Sequence, residues 1–600
     1  MDRVQIKKRI TEIFGKIPAL RDILLSSDTI DAKREAIRSH ICHDHLSTFD
    51  EDRDLHPLEW VVIRSAHGAF ENMLSTRNER LAGYSLLQYL NDLLHKEDIA
   101  DLRAPTPGFF AELEHLMRGM SGTAQVYDDT QVTPFHEAEG REAARIRSSD
   151  LSDMAMNVQS FVNRYPWGLD PEIMEKRREN RERILNYFKG NSDDWNNWKW
   201  HVRHVVKDAD TLKDLILLSP DEEEAVRHAR RYGIPFGITP YYISLMDRES
   251  SPVGNDRAIR MQVIPSRYYV ESIRSARESG VSMDFMLEKD TSPIEGVTRR
   301  YPMIVILKPI MTCPQICVYC QRNWQIEDAC MPDAVMSKRD IDRAIRWIAD
   351  TGAIREVLVT GGDPFLMSDE RIEAIMSDLS RIDHIERIRI GTRMHITLPQ
   401  RITDDLVSSI GRFHEPGRRE IVLVTHCEHP YEITPEMMES VQKFKRTGIS
   451  IYNQMVFTYY NSRKYEAAFL RDKLRMIGVT PYYSFNTKGK EETNDYRVPL
   501  ARILQEQKEE VRLFPGTVRT DEVVFNVPGL GKNYLRSAQH RDIISILPDG
   551  RRVYEFHPWE KNMKLVDTYV HVDVSIYEYL ERLRAEGEDM EQYGTIWYYY

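Results

Sequence analysis

The carboxyl-terminal half of the chain alternates short apolar runs with stretches of helical periodicity. The first of six apolar runs begins at residue 303, and the runs read MIVILKPI, EVLVTGGDP, RIRIGTR, EIVLVTHC, SIYNQMVF and PYYSFN. Helical patterns such as SDERIEAIMSDLSRI and TPEMMESVQKFKRTG separate them. Apolar strands that alternate with helices predict a parallel sheet covered on its faces. Six such units, joined right-handedly, predict an α/β fold with a partial (β/α)6 barrel.

The rest of the chain has a different pattern of apolar and polar residues. Residues 1–185 carry helical patterns such as SLLQYLNDLLHKEDIADL and predict a mainly helical amino-terminal domain of unknown role. We divide the remainder into a helical segment at 186–295, the barrel at 296–490, a segment with a glycine-rich loop at 491–560 and a helical tail at 561–600.

Composition narrows the class of protein. The 600 residues carry a net charge of −12, and 41% of them are hydrophobic, as expected of a folded globular chain. An acidic balance argues against nucleic acid as the main partner. There is no cationic leader before an apolar run and no apolar stretch near 18 residues, so neither export nor a membrane span is expected. We expect a cytoplasmic protein.

Three of the six cysteines lie in one short stretch, TCPQICVYCQR, as Cys313, Cys317 and Cys320. A structural zinc site needs four ligands, and only the lone Cys330 lies nearby. An iron–sulfur cluster held by three cysteines instead leaves one iron open, where a small molecule can bind and receive an electron. The stretch follows the first predicted strand, at the end where α/β folds bind ligands.

The cysteine spacing, with Tyr319 before the last cysteine, resembles that of the radical S-adenosylmethionine (SAM) enzymes. A longer part of the chain, about 195–560, resembles the lysine 2,3-aminomutase family, which includes glutamate 2,3-aminomutase. The similar stretches include WNNWKWHVRH, ITPYYISLMD, TSPIEGVTRRYP, LVTGGDPFLMSDE and THCEHPYEIT. The resemblance implies an isomerase that moves an amino group from C2 to C3 of an amino acid, with a [4Fe–4S] cluster, SAM and pyridoxal 5′-phosphate (PLP) as cofactors.

The resemblance also assigns roles to individual residues. It implies a SAM-binding set formed by Tyr319, Thr360, Gly361, Gly362, Asp363, His426 and Gln454. Lys532, in NVPGLGKNY, matches the lysine that binds PLP, and Arg300 and Tyr301, in RRYP, match further PLP-binding positions. Two departures affect this part: the glycine run is one residue shorter than in the family, and Ile304 stands where the family often has a basic residue.

Substrate choice depends on three positions. Arg322 matches the arginine that binds the substrate α-carboxylate, for which a two-pronged guanidinium is well suited. Where lysine-acting members carry two aspartates, this chain has Lys488 in PYYSFNTKG and Asn526 in FNVPGLGK. This pair is the one found in glutamate-acting members, so we expect L-glutamate or another acidic amino acid. Lys490 is an alternative to Lys488 if the latter faces solvent.

Other readings stay open at this point. The alternatives are a lysine 2,3-aminomutase, an aminomutase that acts on a protein lysine, a radical SAM enzyme of another reaction type and a zinc-binding protein. The resemblance implies an amino acid substrate, an electron donor such as flavodoxin or ferredoxin, and a homo-oligomer. No cysteine follows position 427, so pairing of subunits through zinc is not expected.

Overall fold

The computed structural model describes residues 2–47, 55–127, 138–249, 254–487, 491–511, 513–537, 541–563 and 566–600. The chain forms two compact units, and both are discontinuous in sequence. The first unit comprises Met1–Val158, Val498–Leu513 and Lys532–Tyr600, and the second comprises Gln159–Arg497 and Phe514–Gly531. The five segments proposed from the sequence stay a prediction.

Helices make up much of both units. Within the described residues, the α-helices are α1 Arg3–Phe14, α2 Pro18–Leu25, α3 Ile30–Ser47, α4 Pro57–Met73, α5 Thr76–Ala82, α6 Leu86–His95, α7 Pro107–Met120, α8 Gly140–Val162, α9 Pro171–Tyr187, α10 Ser192–Asn196, α11 Trp198–Arg203, α12 Ala209–Leu215, α13 Pro220–Arg231, α14 Pro240–Ile243, α15 Arg257–Arg260, α16 Arg267–Glu278, α17 Lys338–Asp350, α18 Asp369–Ser380, α19 Met394–Thr397, α20 Asp404–Gly411, α21 Pro435–Lys445, α22 Glu466–Met476, α23 Leu500–Glu510 and α24 Ile576–Ala585. None of the helices in these ranges is long and apolar enough to span a membrane.

The strands fall into two groups along the chain. They are β1 Val297–Thr298, β2 Ile304–Ile310, β3 Glu356–Gly361, β4 Arg387–Gly391, β5 Glu420–Thr425, β6 Ser450–Phe457, β7 Val479–Asn486, β8 Glu522–Val527, β9 Gly531–Tyr534, β10 Arg541–Ile546, β11 Arg552–Phe556 and β12 Tyr569–Val572.

A parallel sheet forms the centre of the second unit. Strands β1 to β8 lie side by side in chain order. Strands β2 to β8 run parallel, and the short β1 pairs antiparallel with β2. The six apolar runs coincide with β2 to β7, so the predicted α/β barrel fold is confirmed. Strand β8 adds a parallel strand that the sequence did not predict.

The crossover helices are capped and have one apolar face. Helix α17 begins after Ser337, whose side chain accepts a hydrogen bond from the Asp340 N–H. Its buried residues are Ile341, Ala344, Ile345 and Ile348, at the spacing of three and four that places side chains on one face. Because each helix returns the chain to the start of the next strand, the loops after β2, β3, β4 and β5 all lie at the carboxyl edge of the sheet.

The first unit combines helices α1 to α7, α23 and α24 with an antiparallel sheet of β10, β11 and β12. This confirms the mainly helical character predicted for the amino-terminal region. A buried ion pair joins α7 to β11: Arg552 Nε donates to both carboxylate oxygens of Glu112, at 3.1 and 3.0 Å. Arg552 also donates to the carbonyls of Trp597 and Tyr599, at 2.6 and 2.7 Å. The aromatic carboxyl terminus is therefore part of the core of this unit.

Candidate active site

The cysteine loop follows β2 at the carboxyl edge of the sheet. Its backbone is held by hydrogen bonds to distant segments, from Ile316 N to the Gly237 carbonyl at 2.9 Å and from Val318 N to the Gln262 carbonyl at 2.8 Å. Cys313 and Cys320 pack against a small apolar cluster of Ile316, Ile326 and Ala329. These contacts fix the loop that carries the three thiols.

The three thiols suit an iron–sulfur cluster. Burial raises the pKa of the Cys313 and Cys317 thiols, and a bound metal cation would favour their ionised forms. The described residues contain no group of three or more His, Cys, Asp or Glu side chains that could hold a single metal ion. A [4Fe–4S] cluster does not need such a group, because each thiolate binds a different iron. The donor set therefore fits a cluster with one open iron.

Arg393, which the sequence analysis did not single out, connects several predicted site residues. It lies two residues after β4, and its Nη1 is 2.9 Å from the Cys317 Sγ. Its Nε donates to the His426 carbonyl at 2.9 Å, and its Nη2 donates to Glu432 at 2.8 Å. Its backbone N–H donates to Asp363 at 2.7 Å. Its position directly after a strand, at the end of RIRIGTR, is the signal that could have identified it.

The predicted TGGDP loop lies against the cysteine loop. The Gly362 N–H donates to the Ile310 carbonyl at 2.7 Å, and the Asp363 N–H donates to the Thr312 carbonyl at 3.0 Å. A Cβ on Gly362 would lie 2.0 Å from the Thr312 oxygen, so this approach requires glycine. The Asp363 carboxylate also accepts a hydrogen bond from the Thr392 hydroxyl at 2.8 Å. Burial raises the pKa of this carboxyl to about 6.

The other predicted SAM-binding residues lie at the same edge. His426 follows β5, and burial, aided by Arg393, lowers the pKa of its ring to about 4. Tyr319 is buried, and its hydroxyl donates to the Gln262 side chain at 3.0 Å. Gln454 lies within β6, and Thr360 lies near the end of β3. The structure thus brings the predicted set together, while its role in binding SAM stays a prediction.

Several buried polar atoms at this edge have no hydrogen-bond partner among the described residues. They include both amide atoms of Gln315, the Thr425 hydroxyl and the Asn486 amide nitrogen. Burial raises the pKa of Glu428 to about 8. Unpartnered buried polar groups are costly, so a polar ligand at this edge would find hydrogen-bonding partners there. This observation fits SAM, which carries many hydrogen-bonding groups.

Arg322 takes part in a buried group of three charges. Its Nη2 and Nε contact the two carboxylate oxygens of Glu288, at 3.0 and 3.3 Å. Lys308, on β2, places its Nζ 3.1 Å from the same carboxylate. Burial acts to raise the pKa of Glu288, but Arg322 and Lys308 outweigh it, and the pKa lies below its ordinary value. Burial lowers the pKa of Lys308, and Glu288 opposes that shift.

The structure describes only some of the residues that were predicted to bind PLP and the substrate side chain. Arg300 donates to the Met286 carbonyl, two residues before Glu288. Tyr301 is half-buried, and Asn526 is half-buried within β8. Lys488 and the alternative Lys490 lie outside the described residues. Lys532 lies on β9, at the start of the last segment of the first unit, and its side chain is half-buried.

Comparison with known proteins agrees with this site. The Radical SAM superfamily matches residues 307–469. A KamA family protein of Methanocaldococcus jannaschii is 40% identical, with 99% of this chain and 98% of that protein covered. The chain belongs to the KamA family. Membership makes it a radical SAM aminomutase, and hence an isomerase, with a [4Fe–4S] cluster and SAM as cofactors.

Two named relatives differ in substrate. Glutamate 2,3-aminomutase of Clostridioides difficile is 32% identical over 66% of this KamA-family chain and 87% of its own. L-lysine 2,3-aminomutase of Acetoanaerobium sticklandii is 34% identical over 59% of this chain and 82% of its own. The two identities are too close to decide the substrate of this protein.

Proposed function

We propose that this protein moves the α-amino group of L-glutamate to the β-carbon, with PLP bound at Lys532. The observation that carries the proposal is the position of Arg322, whose backbone N–H lies 3.4 Å from the Cys320 Sγ. A substrate carboxylate on this arginine would lie next to the loop that carries the three cluster ligands. Its guanidinium keeps 15% of its surface exposed, and Nη1 makes no hydrogen bond within the described residues.

The two residues assigned to the substrate side chain favour a second carboxylate over an ammonium. Asn526 is half-buried in β8, and its side chain makes no hydrogen bond to any described residue. Its amide can donate to a substrate side-chain carboxylate. Neither this position nor Lys488 supplies the negative charge that a lysine ammonium would need. An ammonium left without a buried partner costs on the order of 3–5 kcal/mol.

The residues of the chain divide the work. Cys313, Cys317 and Cys320 hold the cluster, and Arg322 orients the substrate through its α-carboxylate. Lys532 supplies the amine that attaches PLP, and Arg300 supplies positive charge for its phosphate. When bound, the cluster and SAM supply the radical that starts the isomerisation, and PLP supplies a carrier for the migrating amino group. The loops around Arg393, in which Asp363 and Thr392 are buried, would keep water away from the radical.

The deciding experiment offers the reduced enzyme SAM, PLP and one amino acid at a time. We expect β-glutamate from L-glutamate, less product from L-aspartate and none from L-lysine, as measured by mass spectrometry and NMR. Asn526→Asp should lower glutamate turnover by about 100-fold, because a buried like charge then faces the substrate carboxylate. Asn526→Gln keeps the amide and serves as the matched control. Turnover of L-lysine alone would refute the proposed substrate.

The PLP site can be tested separately from the substrate. Borohydride reduction of the PLP-loaded enzyme should leave a pyridoxyl label on the peptide that contains Lys532, because an imine between lysine and PLP is reducible. Lys532→Ala should lose the label and still bind the cluster. A label on Lys488 or Lys490 would contradict the assignment. The flavodoxin or ferredoxin donor and the homo-oligomer stay predictions.

A further inference from the structure

Lys308 is a buried charged residue in an otherwise apolar strand. Strand β2 reads IVILKPI, and Lys308 is its one charged residue. The side chain is 8% exposed, and its Nζ contacts the Glu288 carboxylate at 3.1 Å. A buried lysine costs free energy unless its charge is paired. Its presence in an apolar strand therefore indicates that it balances the charge of Glu288.

The carboxylate of Glu288 is shared between two cations. Its Oε2 contacts both Lys308 Nζ, at 3.1 Å, and Arg322 Nε, at 3.3 Å, while its Oε1 contacts Arg322 Nη2 at 3.0 Å. The three side chains together carry one positive charge in excess. Without Lys308, Arg322 and Glu288 would neutralise each other. Arg322 would then have no net charge to offer a carboxylate.

A second buried carboxylate, that of Asp284, lies near this group and acts electrostatically on Lys308. Its oxygens accept hydrogen bonds from the backbone N–H groups of Glu288 and Lys289, at 2.8 and 3.0 Å. These contacts fix the short turn that presents Glu288. Lys289 is exposed, with its ammonium 5.5 Å from the Trp324 ring, so it lies outside the buried group.

We propose that Lys308 is a positioning residue that neutralises Glu288 and so leaves the guanidinium of Arg322 charged and oriented for the substrate α-carboxylate. The inference rests on the proposed function, which assigns the α-carboxylate to Arg322. Glu288 aligns the arginine fork through two contacts, and Lys308 balances the charge that this alignment introduces. The 15% exposure of Arg322, against 4% for Glu288, leaves the arginine as the member of the group that a ligand reaches.

The test is a charge series measured by binding. Radiolabelled L-glutamate is equilibrated by dialysis with cluster- and PLP-loaded enzyme in the absence of SAM, so that no turnover occurs. The variants are Lys308→Met, Glu288→Gln and the double variant, which leave net charges of zero, two and one on the group. Lys289→Met is the matched control, because it removes an exposed cation from the same segment.

We expect Lys308→Met to raise the dissociation constant for L-glutamate about tenfold or more, as expected when a buried charge partner is removed. Glu288→Gln should bind no more weakly than wild type, because it raises the net charge of the group to two and keeps one side-chain oxygen to align the arginine. The double variant should return to within about threefold of wild type, since its net charge is restored. In turnover, Lys308→Met should raise KM and change kcat little, and Lys308→Arg should restore KM.

The outcomes separate this inference from the proposed function. Wild-type affinity in Lys308→Met, or a double variant as weak as Lys308→Met, would overturn the inference even if β-glutamate is formed. If the charge series behaves as expected but no β-isomer appears, the role of Lys308 stands and the aminomutase substrate is wrong. A wild-type enzyme that binds no L-glutamate overturns both. Iron content and melting temperature show whether each variant is folded.

Discussion

Each compact unit buries an arginine against a glutamate, but the two pairs are built differently. In the first unit, Arg552 and Glu112 are both 2% exposed, and the remaining arginine donors go to backbone carbonyls of the carboxyl terminus. In the second unit, Glu288 is shared by Lys308 and Arg322, and Arg322 stays 15% exposed. The first group has one cation for one anion, and the second group has two cations for one anion.

A balanced and fully enclosed pair leaves no net charge for a ligand. All of its hydrogen bonds end within the protein, so that no ligand can compete for them. An unbalanced group with one partly exposed member has positive charge and donor capacity left over, which is what recognition of an anion requires. The charge count and the exposure together, rather than burial alone, support the proposed binding role of the second group.

The largest effect expected is the complete loss of one function without loss of fold. Cys317→Ala removes one of the three cluster ligands, and SAM cleavage should fall to background because the cluster cannot be held. Iron and sulfide analysis and a 5′-deoxyadenosine assay measure this, and hydrogen exchange in α7 should stay unchanged. Cys427→Ala, at a buried cysteine outside the loop, is the control. Retained SAM cleavage in Cys317→Ala would refute the assignment of the three cysteines as cluster ligands.

The second effect concerns stability in the first unit. Arg552→Met leaves Glu112 buried without a partner and should lower the free energy of unfolding of this unit by about 3–5 kcal/mol. Hydrogen exchange of peptides from α7 and β11 measures the loss. Arg551→Met is the matched control, since that side chain is 38% exposed and pairs with Asp549 near the surface. A cost similar to that of the control would mean that the enclosed pair is not structural.

The smallest effect is expected for stability in the second unit. Lys308→Met leaves Glu288 still paired with Arg322, so the free energy of unfolding should fall by only about 1 kcal/mol. Chemical denaturation beside Lys289→Met measures the difference. A loss as large as that of Arg552→Met would show that Lys308 supports the fold, and the contrast between the two units would disappear.

The sequence predicted the parts of this fold that local patterns encode. Six apolar runs alternate with amphipathic helices, and each became a strand of the parallel sheet because the pattern repeats. Strand β8 was missed, since EVVFNV is a single short run followed by a glycine-rich loop rather than by a helix. The antiparallel strands β10 to β12 were also missed. Their sequences, such as RDIISI and RVYEF, mix charged and apolar residues, and the fold buries both kinds. They therefore contain no long apolar run.

The site was predictable to the extent that its residues lie in one loop or follow a strand. Cys313, Cys317 and Cys320 are neighbours in sequence. In contrast, Glu288 is 34 residues from Arg322 and 20 from Lys308, and no spacing rule joins them. Their meeting depends on the turn that Asp284 holds and on the position of β2 in the sheet. Such convergence is a property of the fold rather than of any segment.

The enclosed pair in the first unit has a consequence for the synthesis of the chain. Glu112 and Arg552 are 440 residues apart, and the whole of the second unit is synthesised between them. At about 5–20 residues per second, the ribosome delivers Arg552 roughly 20–90 s after Glu112. The carbonyls of Trp597 and Tyr599 follow Arg552 by 45 and 47 residues. Helix α7 therefore emerges well before the residues that complete its ion pair.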